Sequence, residues 1–137
     1  MQNTISQIQD PLTIAGETFT SRFLLGTGKF KNKKDLADSI ESSGSQIVTV
    51  ALRRIDIETH EDNILQYIPK NIKLMVNTSG ARNAKEAIRI AHLAKETTLS
   101  NWIKIEVIND SKYLLPDNVE TIKATATLAA EGFVVLP

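Results

Sequence analysis

The chain predicts a parallel α/β fold, and three observations carry that expectation. Stretches that read as strand, polar loop and helix recur at intervals of roughly 25–30 residues, the size of a βα repeat. Gln46 to Leu52, reading QIVTVAL, is nearly all apolar and rich in β-branched residues. Such a run has to be covered on both faces, as the strands of parallel sheets are. Each candidate strand also runs into a polar or glycine-bearing segment, which is where α/β folds place their ligands.

Taken in order, residues 1–10 are polar and are expected to be disordered. Residues 12–19 read as a hairpin turning at Gly16-Glu17. Arg22 to Thr27 is the first strand of the repeat, ending in Gly26-Thr27-Gly28-Lys29. Asn32 can cap a helix that stripes Leu36, Ala37 and Ile40, and Gly44 closes it. The QIVTVAL strand finishes at Arg53-Arg54. Ile57 to Ile68 is a weaker helix stopped by Pro69. Lys73 to Val76 is a strand ending in Asn77-Thr78-Ser79-Gly80. Asn83 and Glu86 make a start like a capping box, and the helix behind it stacks Ala84, Ala87, Ile88, Ala91 and Ala94. A strand over 102–108 follows. Asp117 and Glu120 then open a helix predicted to turn Val119, Ile122, Ala126, Ala129 and Ala130 inward, with Gly132 as its stop. Phe133 to Leu136 is the fifth strand. No linker interrupts the rhythm, so residues 1–137 read as a single domain.

Composition narrows the function classes. The chain has 137 residues, 42% hydrophobic and 23% charged, as soluble globular proteins have. Sixteen basic and sixteen acidic residues cancel, which argues against nucleic acid or an anionic membrane as partner. With no cysteine there is no disulfide, thiolate metal site or cysteine nucleophile. No apolar run reaches the roughly 20 residues of a membrane helix. The start, MQNTISQIQD, lacks the features of a signal peptide, so the cytoplasm is the expected compartment, or a plastid for an organelle-encoded gene. Asn77-Thr78-Ser79 matches a glycosylation sequon, which carries no weight without secretion.

The chemistry concentrates in Trp102 to Asp110, WIKIEVIND. On an extended strand Ile103, Ile105 and Val107 share one face, and Lys104 and Glu106 share the other with Trp102 and Ile108. Lys104 and Glu106 have Cα atoms roughly 6.5–7 Å apart, close enough to touch one small molecule. On an exposed edge they would merely be wetted. Inside a parallel sheet, where a buried ammonium and carboxylate each cost several kcal/mol unless paired or used, a ligand site or a structural ion pair is expected. A lysine there can attack a carbonyl and form an imine, with Glu106 moving a proton at the adjacent carbon. A free lysine is neutral in only about one molecule in a few thousand at pH 7. Desolvation and neighbouring arginines would lower its pKa and Glu106 would raise it, and the sequence does not rank these effects.

The strand ends supply candidate substrate-binding residues: Gly26, Thr27, Arg53, Arg54, Asn77 and Thr78. They suit a small, oxygen-rich, anionic substrate, although loops in general favour such residues. Gly26 and Gly28 do not make a P-loop, because one residue separates them and Phe30 follows the lysine. His60 and His92 lack metal-ligand spacing, and both are expected at the surface. Trp102 and the methionines are expected to serve packing.

GTGKF at 26–30, VTVALRR at 48–54, NTSG at 77–80 with AKEAIRIAHLAKE, WIKIEV at 102–107 and LLPDNVETIKA…EGFVVLP at 114–137 resemble the thiazole synthase family of thiamin biosynthesis. The resemblance runs in order from Leu12 onward. It implies a (β/α)8 TIM barrel of which this chain holds about the first five βα units. It also implies an enzyme that joins 1-deoxy-D-xylulose 5-phosphate, dehydroglycine and sulfur from the thiocarboxylate of a ubiquitin-like carrier protein into thiazole phosphate. Lys104 matches the family's imine-forming lysine and Glu106 its acid/base carboxylate. No metal or organic cofactor is implied, and a homo-oligomer, a tetramer at full length, is.

Asn109 stands where the family usually has glycine, Met75-Val76 where Leu-Pro is common, and Ser79 where alanine is common. The family's second catalytic acid and glycine-rich phosphate loops fall outside these residues, so the isolated chain is expected to be inactive, with unpaired edges at 23–27 and 133–136. Two rival readings fit the same residues. One is a complete five-stranded doubly wound binding module in which Lys104 and Glu106 form a structural pair. The other is an aldolase-like imine enzyme on a barrel.

Overall fold

The computed structural model describes residues 10–55 and 63–137. A two-stranded antiparallel hairpin, β1 (Leu12–Ile14) and β2 (Glu17–Phe19), precedes a five-stranded parallel sheet. The hairpin turns at Ala15-Gly16, one residue earlier than expected. Both residues have positive φ, 50° and 80°, as the twist of a two-residue hairpin loop requires.

The sheet contains β3 (Leu24–Gly26), β4 (Ile47–Ala51), β5 (Lys73–Asn77), β6 (Trp102–Lys104) and β7 (Val134–Leu136), in that spatial order. Sequential order with every pair parallel means that each connection steps one strand in the same direction. A doubly wound sheet reverses direction and places helices on both faces. Here α1 (Lys33–Ser43), α2 (Ala84–Thr98) and α3 (Asn118–Ala130) all pack into one core on one face of the sheet. The doubly wound alternative is therefore overturned, and the winding is that of a TIM barrel.

Strand alternation produces two cores. Val48, Val50, Val76, Ile103, Ile105 and Val107 face the helices. Ile47, Met75 and Trp102 face the other way, where Phe19 of the hairpin meets Trp102 edge-on at 5.8 Å. Met75 and Trp102 thus serve packing, and β4 is covered on both faces as QIVTVAL predicts.

Helix ends follow local chemistry. Asn32 Oδ1 accepts from the Asp35 N–H at 2.8 Å, and Gly44 ends α1 at a left-handed φ of 62°. Asn83 Oδ1 accepts from Glu86 N–H at 2.9 Å, while the Glu86 carboxylate reaches the N–H of Arg82, one residue ahead of the expected box partner. Ala84, Ala87, Ala91 and Ala94 form the buried stripe of α2.

Three expectations are corrected. Where Ile57 to Ile68 reads as a helix, the described part, Ile64–Tyr67, is a short 3-10 turn. Residues 57–62 and His60 lie outside the described residues. The strand predicted over 102–108 has regular pairing only to Lys104, for a reason found at residue 78. The third concerns α3, which buries Ala124 and Leu128 and leaves Val119 and Ile122 62% and 69% exposed, with Ala126, Ala129 and Ala130 exposed as well. α3 has apolar side chains on two stripes, and only one can meet α2 and the sheet. Close approach selects the stripe with Ala124 at its centre, even though Thr125 then buries a hydroxyl with no partner.

Candidate active site at the carboxyl ends of the strands

Register decides which side chains share the sheet face opposite the helices. Ala51 pairs with Asn77, Asn77 with Lys104, and Lys104 with Leu136. Adjacent strands lie about 4.8 Å apart, so these four form a row across the carboxyl end of the sheet. Gly26 and Thr49 pair one layer below. Hydrophobic residues fill the lower end of this face, and Asn77 and Lys104 stand at its upper end between Ala51 and Leu136.

Lys104 is exposed and Glu106 half-buried, with Ile103, Ile105 and Val107 buried between and around them. The expected alternation therefore holds through 107. Among the described residues, neither the Lys104 ammonium nor the Glu106 carboxylate has a hydrogen-bond or ion-pair partner. The structural ion pair between them is absent. So is the enclosure expected of Lys104: five strands form an open sheet, and a lumen needs about eight to close around it.

The backbone carrying these two groups is held from both sides. Thr78 N–H donates to Lys104 O at 3.1 Å, and Ile105 N–H donates to Leu136 O at 2.9 Å. Beyond that point β5 has ended, and the Thr78 hydroxyl takes over. It accepts from the Glu106 N–H at 2.8 Å and donates to the Glu106 carbonyl at 2.9 Å. Regular pairing stops at Lys104 because a side chain has replaced the neighbouring strand. Thr78 is fully buried, and its hydroxyl is taken up by the Glu106 backbone.

The other candidates do meet. Gly26, Thr27, Arg53, Arg54 and Asn77 line a cleft of about 190 Å³ at the ends of β3, β4 and β5. Leu52–Arg54 forms a 3-10 turn that delivers both arginines to it. Arg53 Nη2 donates to Ser79 Oγ at 3.2 Å, and Arg54 Nη1 makes a long 3.5 Å contact with Thr27 O. Asn77 Oδ1 accepts from Ser79 N–H at 3.1 Å. Thr49 and Ala51 also line the cleft and were not singled out from sequence. Counting back by twos from Arg53 along its own strand would have found both.

A larger cleft, about 520 Å³, opens at the amino ends of the strands between the hairpin, Lys73 and Trp102. Lys73 Nζ there lies 2.7 Å from Glu17 Oε1 and over the Trp102 ring at 5.3 Å. It serves to seat the hairpin. No group of three or more His, Asp or Glu side chains that could hold a metal occurs among the described residues, and no helix among them is long and apolar enough to cross a membrane. His92 lies at the surface, 2.5 Å from Glu131.

Comparison with known proteins finds relatives over nearly the whole chain. The sequence profile described as "Thiazole biosynthesis protein ThiG" matches residues 13–137. A thiazole synthase of Pelotomaculum thermopropionicum is 60% identical over 130 residues, covering 95% of this chain and 51% of that protein. One from Clostridioides difficile is 54% identical over 128 residues, covering 93% and 50%. The chain thus spans about half the length of these curated relatives. The crystal structure of the Amycolatopsis orientalis BexX/CysO complex superposes with a TM-score of 0.72 at 23% identity, over 92% of this chain and 52% of that one, which is a likeness of fold. With its sequential parallel sheet, its helices on one face and a family match over nearly all of its residues, this chain belongs to the ThiG family of thiazole biosynthesis proteins, a TIM barrel family.

Proposed function

We propose that this chain carries the imine-forming part of a thiazole synthase, which condenses 1-deoxy-D-xylulose 5-phosphate, dehydroglycine and sulfur from a carrier-protein thiocarboxylate into thiazole phosphate. The observation that carries the reading is the placement of Lys104 and Glu106 on one sheet face at the carboxyl end of β6, with Asn77 beside Lys104 in register, in a chain of the thiazole biosynthesis family. In its neutral form the Lys104 amine adds to the sugar's C2 ketone. Loss of water from the carbinolamine leaves the imine, and Glu106 removes the proton from the adjacent carbon to give the enamine. The backbone bonds from Thr78 and Leu136 hold both groups on one face throughout.

The remaining parts of the reading are a transferase without a metal or organic cofactor, a homo-oligomer, and docking of a ubiquitin-like carrier protein. The last is supported by the solved structure of like fold being a complex of BexX with a second protein, CysO. The isolated chain is expected not to turn over, and thiazole product from it would overturn that.

The test joins residues 12–137 to the remaining half of the P. thermopropionicum relative and adds deoxyxylulose phosphate with borohydride. One reduced adduct is expected, on Lys104. A label on Lys29 or Lys112 instead would refute the assignment.

A further inference from the structure

Among the described residues the parallel sheet has two free edges, since β3 pairs only with β4 and β7 only with β6. Beside the β7 edge, α3 carries a second apolar stripe. Val119, Ile122, Ala126 and Ala129 recur at helical spacing, and all four are exposed.

Other residues of the same helix fix the direction of that stripe. Glu120 accepts from the Ala84 N–H at 2.8 Å, so its side of α3 is turned to α2. Ala124 and Leu128 face the core, and Lys123 and Thr127 form an exposed polar stripe next to Glu120. At roughly 100° of rotation per residue, the middle of the apolar stripe stands about 140° round the helix from Glu120. It therefore lies on the flank of α3 turned away from α2. Every connection in this sheet steps in one direction, so a helix following β7 would take its place against that flank. Ala126 and Ala129 are small enough to let such a helix come close.

We propose that the α3 flank and the β7 edge form a seam that takes up the second half of a thiazole synthase barrel as a separate polypeptide, without a covalent link. The proposal rests on the barrel fold of the family and not on the imine chemistry. The chain already has capped helices and a core on each face of its sheet, as a partner that folds before association needs. It spans 51% of the P. thermopropionicum relative, whose remaining half is about as long again. Strand count selects this occupant over a second copy. Five strands of the barrel's eight are present, and two copies would bring ten. A partner with the other three strands and their helices pairs with both free edges and covers Ile122.

The chain has no cysteine, so one introduced thiol reports on one position. Ile122→Cys marks the seam, and Thr127→Cys marks the polar stripe beside it. Each 137-residue variant is labelled with N-ethylmaleimide alone and after co-expression with the tagged remaining half of the P. thermopropionicum relative. The two chains should copurify one to one. Ile122→Cys should label as fast as Thr127→Cys in the chain alone. In the complex it should label about tenfold slower or more, while Thr127→Cys changes less than about twofold. Ile122→Asp should barely shift the urea midpoint of the chain alone, and should lower recovery of the complex about tenfold.

Failure to copurify, equal labelling of the two thiols in the complex, or full recovery with Ile122→Asp overturns the proposal. Protection of Ile122→Cys in the chain alone that grows with protein concentration also overturns it, in favour of a second copy. The covalent chimera separates the claims, because protection there without copurification sinks the association of two chains. Borohydride trapping on Lys104 is read independently. A complex without trapping sinks only the imine reading, and trapping in the chimera without a complex sinks only this one.

Discussion

The hydroxyl of Thr78 holds both backbone groups of Glu106, accepting from its N–H at 2.8 Å and donating to its carbonyl at 2.9 Å. One side chain thereby does the work of a missing stretch of strand, and it does so at the residue proposed to move protons. The pair joins the end of β5 to the continuation of β6 across 28 residues of sequence.

Thr78→Val keeps the shape and removes the hydroxyl, leaving the Glu106 N–H and carbonyl unmatched. Stability should fall by about 1–3 kcal/mol in urea titrations. The Glu106 amide should also exchange faster with solvent than in Thr78→Ser, which keeps the bond. Equal exchange in the two variants would contradict the pinning.

Lys104→Ala should change stability by less than about 0.5 kcal/mol, because the side chain is exposed and unpartnered among the described residues. In the chimera, the same change should abolish borohydride trapping. Glu106→Gln should retain the adduct but lose exchange of the adjacent carbon's proton into deuterium oxide, read by mass spectrometry. Trapping that survives in Lys104→Ala excludes this lysine as the nucleophile.

Ala91 is fully buried in the stripe of small residues that brings α2 against the sheet. Ala91→Leu inserts three carbons into a closed space and should cost about 1–3 kcal/mol. Were the variant as stable as the parent, α2 would have to stand farther from the sheet than the structure places it.

Asn83→Ala removes the oxygen that accepts from Glu86 N–H and should destabilise by about 1 kcal/mol. Asn83→Asp or Asn83→Ser should recover most of that. A loss as large in Asn83→Ser as in Asn83→Ala would point to something other than capping.

Glu120 links α3 to the start of α2. Its carboxylate accepts from the Ala84 N–H at 2.8 Å and from Lys123 Nζ at 2.6 Å, and these bonds, the first foremost, hold its pKa below the ordinary 4.5. A depressed folded value means that the unfolded chain binds the proton more readily. The stabilisation is therefore fully present above about pH 4.5 and is lost as pH falls through the lower folded value. Glu120→Gln should be less stable than the parent at pH 7, with the gap narrowing below pH 4.5. A gap of constant size down to pH 3 would show that Glu120 acts by shape instead of charge.

Much of this was legible in the sequence because it is local. Asn32 and Asn83 announce helix starts through bonds three residues long. QIVTVAL announces a covered strand through its own composition, and two-residue alternation places Lys104 and Glu106 on one face whatever surrounds them. The motif residues also marked the family. The inward face of α3 was misread because Val119 and Ile122 outrank Ala124 in hydropathy, while packing against α2 rewards small size.

The amino-acid sequence by itself determined the element order, the helix caps, the shared face of Lys104 and Glu106, and the kinship with thiazole synthases. Only the tertiary structure decided that all three helices lie on one side, that the Thr78 hydroxyl bonds the Glu106 backbone, and that Arg53, Arg54 and Ser79 wall one cleft. Each of those outcomes depends on which strand lies alongside which, and that adjacency is set by packing between residues some 25 or more positions apart, which no local pattern encodes.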